Sequence, residues 1–264
     1  MYKLLTIDVD DTLLNDDWKV TEATKNALAQ AMDQGVTVTL ATGRMYASAK
    51  QIAAQTNLNV PLITYQGSLI KNLVDEKVLY ERSVPPAIAQ FLFEYADKHK
   101  LHLQGYYNDK LVSLEDNEKI KKYSHMAKVP YSIESVEQLL SKPLTKLLFY
   151  EEPEVLVYHE EQLKGLIGQE VHITRSKPYF LEVLHKEGTK GDAVRFLAQH
   201  FGCDLSEVIA IGDSWNDHEM LEVAGLGVAM GNAVDSLKQI ADFVTKTNNE
   251  DGVKHVIDKF ILQT

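Results

Sequence analysis

Three carboxylates fall within four positions near the amino end, in Leu4-Leu5-Thr6-Ile7-Asp8-Val9-Asp10-Asp11-Thr12-Leu13, directly after an apolar run of strand-forming residues. A parallel strand that ends in acids delivers charge to its C-terminal edge, where open α/β sheets bind ligands. Because strand side chains alternate, Asp8 and Asp10 are expected on one side with Val9 packed on the other. Carboxylates held that close repel unless a cation, a proton or a ligand intervenes. Taken alone, the stretch reads equally as an acidic turn in which Asp11 or Thr12 caps the next element. Three further stretches carry chemistry. Thr42-Gly43-Arg44 follows a strand-like run at 36–41 and places a hydroxyl, a permissive backbone and a guanidinium at a second strand tip. Gly188-Thr189-Lys190-Gly191-Asp192 opens a helix, and 208–211 runs into Gly212-Asp213-Ser214-Trp215-Asn216-Asp217. Each group has a plain alternative: Thr42 as a helix cap, Asp213 as a helix acid, Asn216 as a turn residue, Lys190 as a solvated surface lysine.

The elements that must position these groups alternate strand and helix at both ends of the chain. A helix starting at Thr21 carries Ala27, Leu28, Ala31 and Met32 at helical spacing and stops at Gly35. A strand at 36–41, a helix at 44–57, a strand at 61–65 and a hairpin of 68–72 with 77–82 follow. This order implies a doubly wound parallel sheet with right-handed crossovers. Ser83-Val84-Pro85-Pro86 punctuates it, since two prolines break ladder pairing. Beyond lie a helix at 86–99, strands at 101–107 and 110–114, a polar helix near 116–127, a strand at 145–150, a helix at 153–168 and strands at 170–175 and 179–184. That order reads as an inserted α+β unit. A second boundary falls near His185-Lys186-Glu187-Gly188, after which alternation resumes through 225–230 and 241–244 to a last helix after Gly252. The expected domains are 1–83 with 187–264, and 84–186 between them, joined by linkers able to hinge.

At 45% hydrophobic and 25% charged residues, the 264-residue chain has the composition of a soluble globular protein. Its net charge of −11 disfavours nucleic acid, whose binding rests on Lys and Arg displacing counterions. The single Cys203 cannot staple the fold and suits a reducing interior. The amino end is unlike a signal peptide and no stretch approaches 18 consecutive apolar residues, so the expectation is a cytoplasmic protein without membrane contact. A monomer and a homodimer are both open.

An Asp-x-Asp-x-Thr, a strand-end Thr, a Lys and a Gly-Asp-x-x-Asn-Asp, in that order, resemble the four motifs of the haloacid dehalogenase superfamily of aspartyl-phosphate phosphatases. The wider pattern, with Ala41-Thr42-Gly43-Arg44, Thr64-Tyr65-Gln66-Gly67, Met230-Gly231-Asn232-Ala233 and Asn249-Glu250-Asp251-Gly252-Val253, is similar to the Cof-type branch with a large C2-type cap. The resemblance covers about residues 1–82 and 186–264 and implies a Rossmann-like core with the cap inserted between the second and third motifs. It implies Asp8 as nucleophile and Asp10 as acid/base, whose proton affinity neighbouring carboxylates would raise toward the working pH. It also implies Mg2+ on the Asp8 carboxylate, the Asp10 carbonyl and Asp213, with Asn216 and Asp217 as nearby or alternate ligands. Thr42 and the Gly43 amide would hold phosphoryl oxygens, with Lys190 neutralising the nucleophile and the developing charge. Lys190→Ala is expected to lower turnover by orders of magnitude with little loss of fold.

Two positions depart from the branch. Asp11 stands where glycine is common, adding a charge that either faces the site or points to solvent, and Gln66 stands where asparagine is common. Arg44 reads as a phosphate contact, a cap partner or an exposed side chain, and Trp215 as a pocket wall or a packing residue. The cap offers Tyr106, Tyr107, His125, Lys128, Tyr179 and Glu182 as specificity candidates. The resulting expectation is a Mg2+-dependent phosphatase for a small phosphorylated metabolite, a sugar phosphate or related cofactor phosphate. The alternatives are a phosphomutase or phosphotransferase, in which an alcohol replaces water, and a non-catalytic phosphometabolite sensor.

Overall fold

The computed structural model describes residues 1–264 except Asn57, Asn59 and Thr264. The first part of the chain forms β1 (Leu4–Asp8), α1 (Glu22–Asp33), β2 (Thr37–Ala41), α2 (Tyr46–Ala53), β3 (Leu62–Thr64), β4 (Leu69–Lys71) and β5 (Val78–Glu81). The middle forms α3 (Pro86–His99), β6 (Leu103–Tyr107), β7 (Lys110–Ser113), α4 (Glu118–Ala127), β8 (Tyr131–Ile133), α5 (Val136–Leu140), β9 (Lys146–Tyr150), α6 (Pro153–Ile167), β10 (Val171–Lys177) and β11 (Phe180–His185). The last part forms α7 (Lys190–Phe201), β12 (Val208–Gly212), α8 (His218–Val223), β13 (Leu226–Ala229), α9 (Asp235–Ile240), β14 (Phe243–Val244) and α10 (Gly252–Ile257).

The two ends of the chain share one eight-stranded sheet, ordered β14-β13-β12-β1-β2-β3-β4-β5. Strand β1 pairs in parallel with β12 on one side and β2 on the other. Helices cover both faces, so Leu4, Leu5 and Ile7 are fully buried and the strand reads as a continuous apolar run. The order reverses at β1: the chain leaves through β2 and β3 and returns on the far side through β12. Such a reversal opens a crevice beyond the strands' C-terminal ends. Only the β3-β4-β5 edge is antiparallel.

The middle of the chain forms a six-stranded sheet ordered β10-β11-β9-β6-β7-β8, antiparallel except where β7 meets β8. Alternation divides its residues. Leu103, Leu147, Phe149, Leu181 and Val183 pack with Leu92, Leu139, Leu156 and Leu163 of α3, α5 and α6. Tyr106, Leu148 and Phe180 face the other way and join the apolar cluster of the large sheet. Lys146 and Glu182, two residues along from Leu148 and Phe180, lie on that same inner face.

Strand and helix positions follow the sequence reading, with local differences. The helix expected at 44–57 spans Tyr46–Ala53, and its expected last residue, Asn57, lies outside the described residues. Residues 43–45 stay out of it because Tyr65 N–H donates to the Arg44 carbonyl (3.0 Å) and Gln66 N–H to the Thr42 carbonyl (3.0 Å). Strand β8 and helix α5 are elements that the sequence pattern does not predict, although Ser135 and Gln138 form a capping box at the start of α5. The two crossings into and out of the inserted segment lie side by side: Arg82 Nε pairs with Glu187 Oε2 at 3.0 Å, and the Tyr80 hydroxyl donates to the Glu187 carbonyl (2.8 Å). No helix among the described residues is long and apolar enough to cross a membrane.

Candidate active site

Asp8 ends β1 at the sheet's central tip, and Lys190, on the first turn of α7, reaches it from behind. Lys190 is 1% exposed, with Nζ 2.5 Å from Asp8 Oδ1 and 2.6 Å from Asp217 Oδ1. A solvated surface lysine is thereby excluded. Asp217 in turn accepts the N–H groups of Asp213 (2.9 Å) and Ser214 (3.0 Å) on Oδ2, which closes the loop after β12. Asp213 Oδ1 accepts the Thr12 hydroxyl at 2.8 Å. Oxygens of Asp8, Asp213 and Asp217 lie within 4.8 Å of one another, a group able to hold a metal ion.

Three carboxylates around one ammonium leave an excess of negative charge. Burial, foremost, pushes the Asp8 carboxyl well above the usual carboxylate range, with Lys190 opposing and Asp217, Asp213 and Asp10 adding to the rise. Burial and then Asp217 push Asp213 up to about 7. Burial works against the Lys190 ammonium, but Asp217 and Asp8 outweigh it and hold the group above its ordinary value.

Asp10 opens to the same cavity as Asp8, with Val9 packed into the core between them. The strand ends at Asp8 and the chain coils through Val9–Leu13, with Leu14 N–H donating to the Val9 carbonyl (3.0 Å). Asp10 faces Arg44, whose Nη2 and Nε donate to its two oxygens at 2.6 and 2.9 Å. Arg44 also donates to the Ser48 hydroxyl (3.0 Å) and lies over the Trp18 ring, 5.4 Å from its centroid. Asp11 adopts φ 60, the left-handed region that favours glycine and that Asp tolerates better than most residues. It does not point idly to solvent: its side chain pairs with Lys177 and its carbonyl accepts the Asn232 amide (2.7 Å).

Thr42 is buried at the tip of β2, where its hydroxyl accepts the Arg44 N–H (3.1 Å), fixing the turn rather than capping α2. Gly43 and Arg44 present themselves to the cavity, while Thr42, Lys190 and Asp217 stand behind its wall. Gly67, at φ 110, brings this loop against α7: a Cβ there would sit 2.0 Å from the Thr189 carbonyl oxygen.

The cavity brings Asp8, Asp10, Gly43, Arg44, Asp213 and Asn216 together on the core side. Facing them from the inserted segment are Tyr123, Met126, Lys146, Ser176, Lys177, Phe180 and Glu182. Of the cap candidates read from sequence, Glu182 alone is among these lining residues. Tyr106 is buried beneath Lys146, whose Nζ lies 4.9 Å from its ring centroid, and the Tyr107 hydroxyl donates to Glu134 (2.7 Å). Trp215 stands exposed outside the lining, and the tryptophan at the cavity is Trp18, 56% exposed. Lys146, which is not among the candidates from sequence, is 1% exposed and donates to the Gly43 carbonyl (2.8 Å) across the interface. A lone charge beside Leu147, Leu148 and Phe149 was the available signal, as Glu182 is between Leu181 and Val183.

Comparison with known proteins places this geometry. YxeH of Bacillus subtilis, named as a phosphatase, is 34% identical over 270 residues, covering 99% of each chain. The B. subtilis 5-amino-6-(5-phospho-D-ribitylamino)uracil phosphatase YcsE is 34% identical, covering 98% of this chain and 96% of its own. The solved structure of the subclass IIB sugar phosphatase BT4131 superposes with a TM-score of 0.86 at 26% identity, covering 98% of both chains. The family model of the haloacid dehalogenase-like hydrolases matches residues 5–257. With its acid cluster, buried lysine and inserted sheet in place, the chain belongs to the haloacid dehalogenase-like hydrolases and is a phosphatase.

Proposed function

We propose that the protein is a Mg2+-dependent phosphatase that hydrolyses small phosphorylated metabolites, sugar phosphates or related cofactor phosphates, through a phospho-aspartate on Asp8. Residues 1–83 and 187–264 act as its catalytic core and 84–186 as the cap that sets specificity. The observation that carries the reading is Lys190, buried and bridging Asp8 and Asp217 at the switch point of the sheet.

The donor set suits a hard cation. Among the described residues no donor meets Asp8 Oδ2 or Asp213 Oδ2, and Asn216 Oδ1 is buried without a partner. Asp8, Asp213 and Asn216, with the Asp10 carbonyl, would hold Mg2+; Asp217, both of whose oxygens are engaged, acts through Lys190 and the loop. Bound Mg2+ supplies charge neutralisation for a dianionic ester approaching a carboxylate.

Asp8 attacks phosphorus as the bond to the leaving oxygen breaks, and Asp10 gives that oxygen its proton. Asp10 then takes a proton from water, which attacks the acyl phosphate, frees inorganic phosphate and restores Asp8. Asp10 cannot serve while both its oxygens hold Arg44. The substrate phosphate competes for that guanidinium, and the exchange releases Asp10, which takes up a proton from water before it serves as the acid, while Arg44 joins the Gly43 amide at the phosphoryl oxygens. Lys190 holds the nucleophile in place and balances its charge. The substrate class rests on the sugar phosphatase and the ribitylaminouracil phosphatase among the similar proteins. The test is phosphate release from sugar, nucleotide and cofactor phosphates with and without Mg2+, with Asp8→Asn as control. Metal-dependent release lost in the variant supports hydrolysis; equal inactivity of both proteins, with phosphorylated ligand still bound, points to the sensor or transferase alternatives.

A further inference from the structure

Three side chains link the inserted sheet to the acid cluster, and their hydrogen bonds run in one sense. Glu182 of β11 is 2% exposed; it accepts the Ser176 hydroxyl on Oε1 (2.5 Å), and Lys146 Nζ (3.3 Å) and Gln66 Nε2 (2.9 Å) on Oε2. A carboxylate beside an ammonium accepts and does not donate. Gln66 must therefore turn its NH2 toward Glu182, which turns its carbonyl onto Asn216 Nδ2 at 2.8 Å. Asn216 is thereby made the donor in that bond, and its own Oδ1 is the oxygen left over. That atom is buried without a partner, in a residue 7% exposed that lines the cavity with Asp8 and Asp213. An unpaired buried carbonyl costs about 1–3 kcal/mol, which a hard cation at the same site offsets.

The local backbone makes room for this chain. Gln66 sits at φ 59, and Gly43 opposite it has no side chain; a Cβ there would lie 2.3 Å from Gln66 Nε2. Asparagine, one methylene shorter, would not span the same gap from the same backbone.

We propose that Glu182 and Gln66 are positioning residues for the metal site: the cap carboxylate sets the sense of two successive amides, so that Asn216 presents oxygen, not NH2, to the cation at Asp8 and Asp213. This rests on the Mg2+ reading above. Cap seating and metal affinity are then linked, each strengthening the other by the same factor.

The experiment is calorimetric titration of Mg2+ into metal-stripped protein, with the emission of Trp18 and Trp215 together as a second signal, for wild type, Glu182→Gln and Gln66→Leu. Glutamine at 182 keeps size and shape but can offer either NH2 or oxygen to Gln66, so the sense is no longer imposed. Weakening of about tenfold or more is expected in both variants, the usual scale for residues that orient metal ligands. Should Glu182→Gln fail to fold because Lys146 loses its partner, Gln66→Leu, which leaves that ion pair in place, decides alone. Wild type that takes up no Mg2+ overturns the metal reading itself. Wild type that binds while the folded variants bind within twofold of it overturns this proposal and leaves that reading standing.

Discussion

The core wall of the cavity takes Asp8, Gly43, Arg44, Asp213 and Asn216 from strand tips and the turns after them, whereas the facing wall takes Tyr123, Lys146, Ser176, Lys177, Phe180 and Glu182 from one helix and three antiparallel strands. On the core side, backbone N–H groups and buried partners hold the acids: Asp217 fixes the loop of Asp213, and Lys190 fixes Asp8. On the cap side, the cations already have acids before any substrate arrives, Lys146 with Glu182 and Lys177 with Asp11. The difference separates two tasks. On the proposed reading a change at a strand tip alters the reaction for every substrate, while a change on the cap face away from the Glu182–Gln66 chain alters which leaving group fits.

The sharpest break in that comparison is Asp8→Asn. Loss of a nucleophile that acts as part of a unit should lower turnover on the order of 10^4-fold or more for every substrate in a phosphate-release panel. Unequal losses across the panel would show that the core wall also selects. Lys190→Ala should follow, with turnover down about 10^2–10^3-fold, the scale for losing one charge-stabilising donor. Where the sequence alone leads to the expectation of little loss of fold, the buried ion pairs point to a cost in stability of about 3–5 kcal/mol in denaturant titration, because Asp8 and Asp217 would be left buried and uncompensated. A variant as stable as wild type would mean that water reaches the cluster freely.

Metal and pH give a smaller effect with a definite sign. Asp213 is raised to about 7 in the folded protein, so the folded state holds a proton that the unfolded chain has lost. That contribution is fully present below the ordinary carboxylate range near pH 4 and disappears as pH rises through about 7. Metal-free protein should therefore melt lower at pH 8 than at pH 5.5 as far as this group is concerned. Mg2+ should raise the melting temperature more at the higher pH, by about 5–10 °C at a hundredfold excess over its dissociation constant. A larger rise at pH 5.5 would contradict protons and metal competing for these oxygens. The smallest effect belongs to the cap: Lys177→Ala, at a partly exposed pair worth about 1 kcal/mol or less, should shift kcat/KM within about fivefold and in different directions for different leaving groups. Uniform shifts across the panel would erase the distinction between the walls.

Asp8, Lys190, Asp213 and Asp217 were legible in sequence because each follows directly from a strand end or opens a helix, where a short motif carries its own geometry. The pairing of Asp10 with Arg44 was not, because the turn after Asp8 is held by Asn232 on the Asp11 carbonyl and Asn248 on the Leu14 carbonyl, more than two hundred residues away. Asp11 could be marked as unusual where glycine is common, but its left-handed backbone and its pairing with Lys177 of β10 needed the folded chain. The cap face failed in a different way. Of the cap candidates only Glu182 lines the cavity, and Lys146, a single charge in an apolar strand, is the residue beside it that the candidates lack; together they carry the contact that reaches Gly43 and Gln66.

Where the chain leaves the large sheet and where it comes back are the same place, marked by Arg82 against Glu187. To the sheet, everything between those residues is one surface loop whose ends already meet, so its length adds little closure entropy. Such a segment can be replaced as a cassette, by recombination or by design, without rerouting a strand or touching Asp8, Lys190 or Asp213. What a replacement must carry with it is an acceptor for the amide of Gln66.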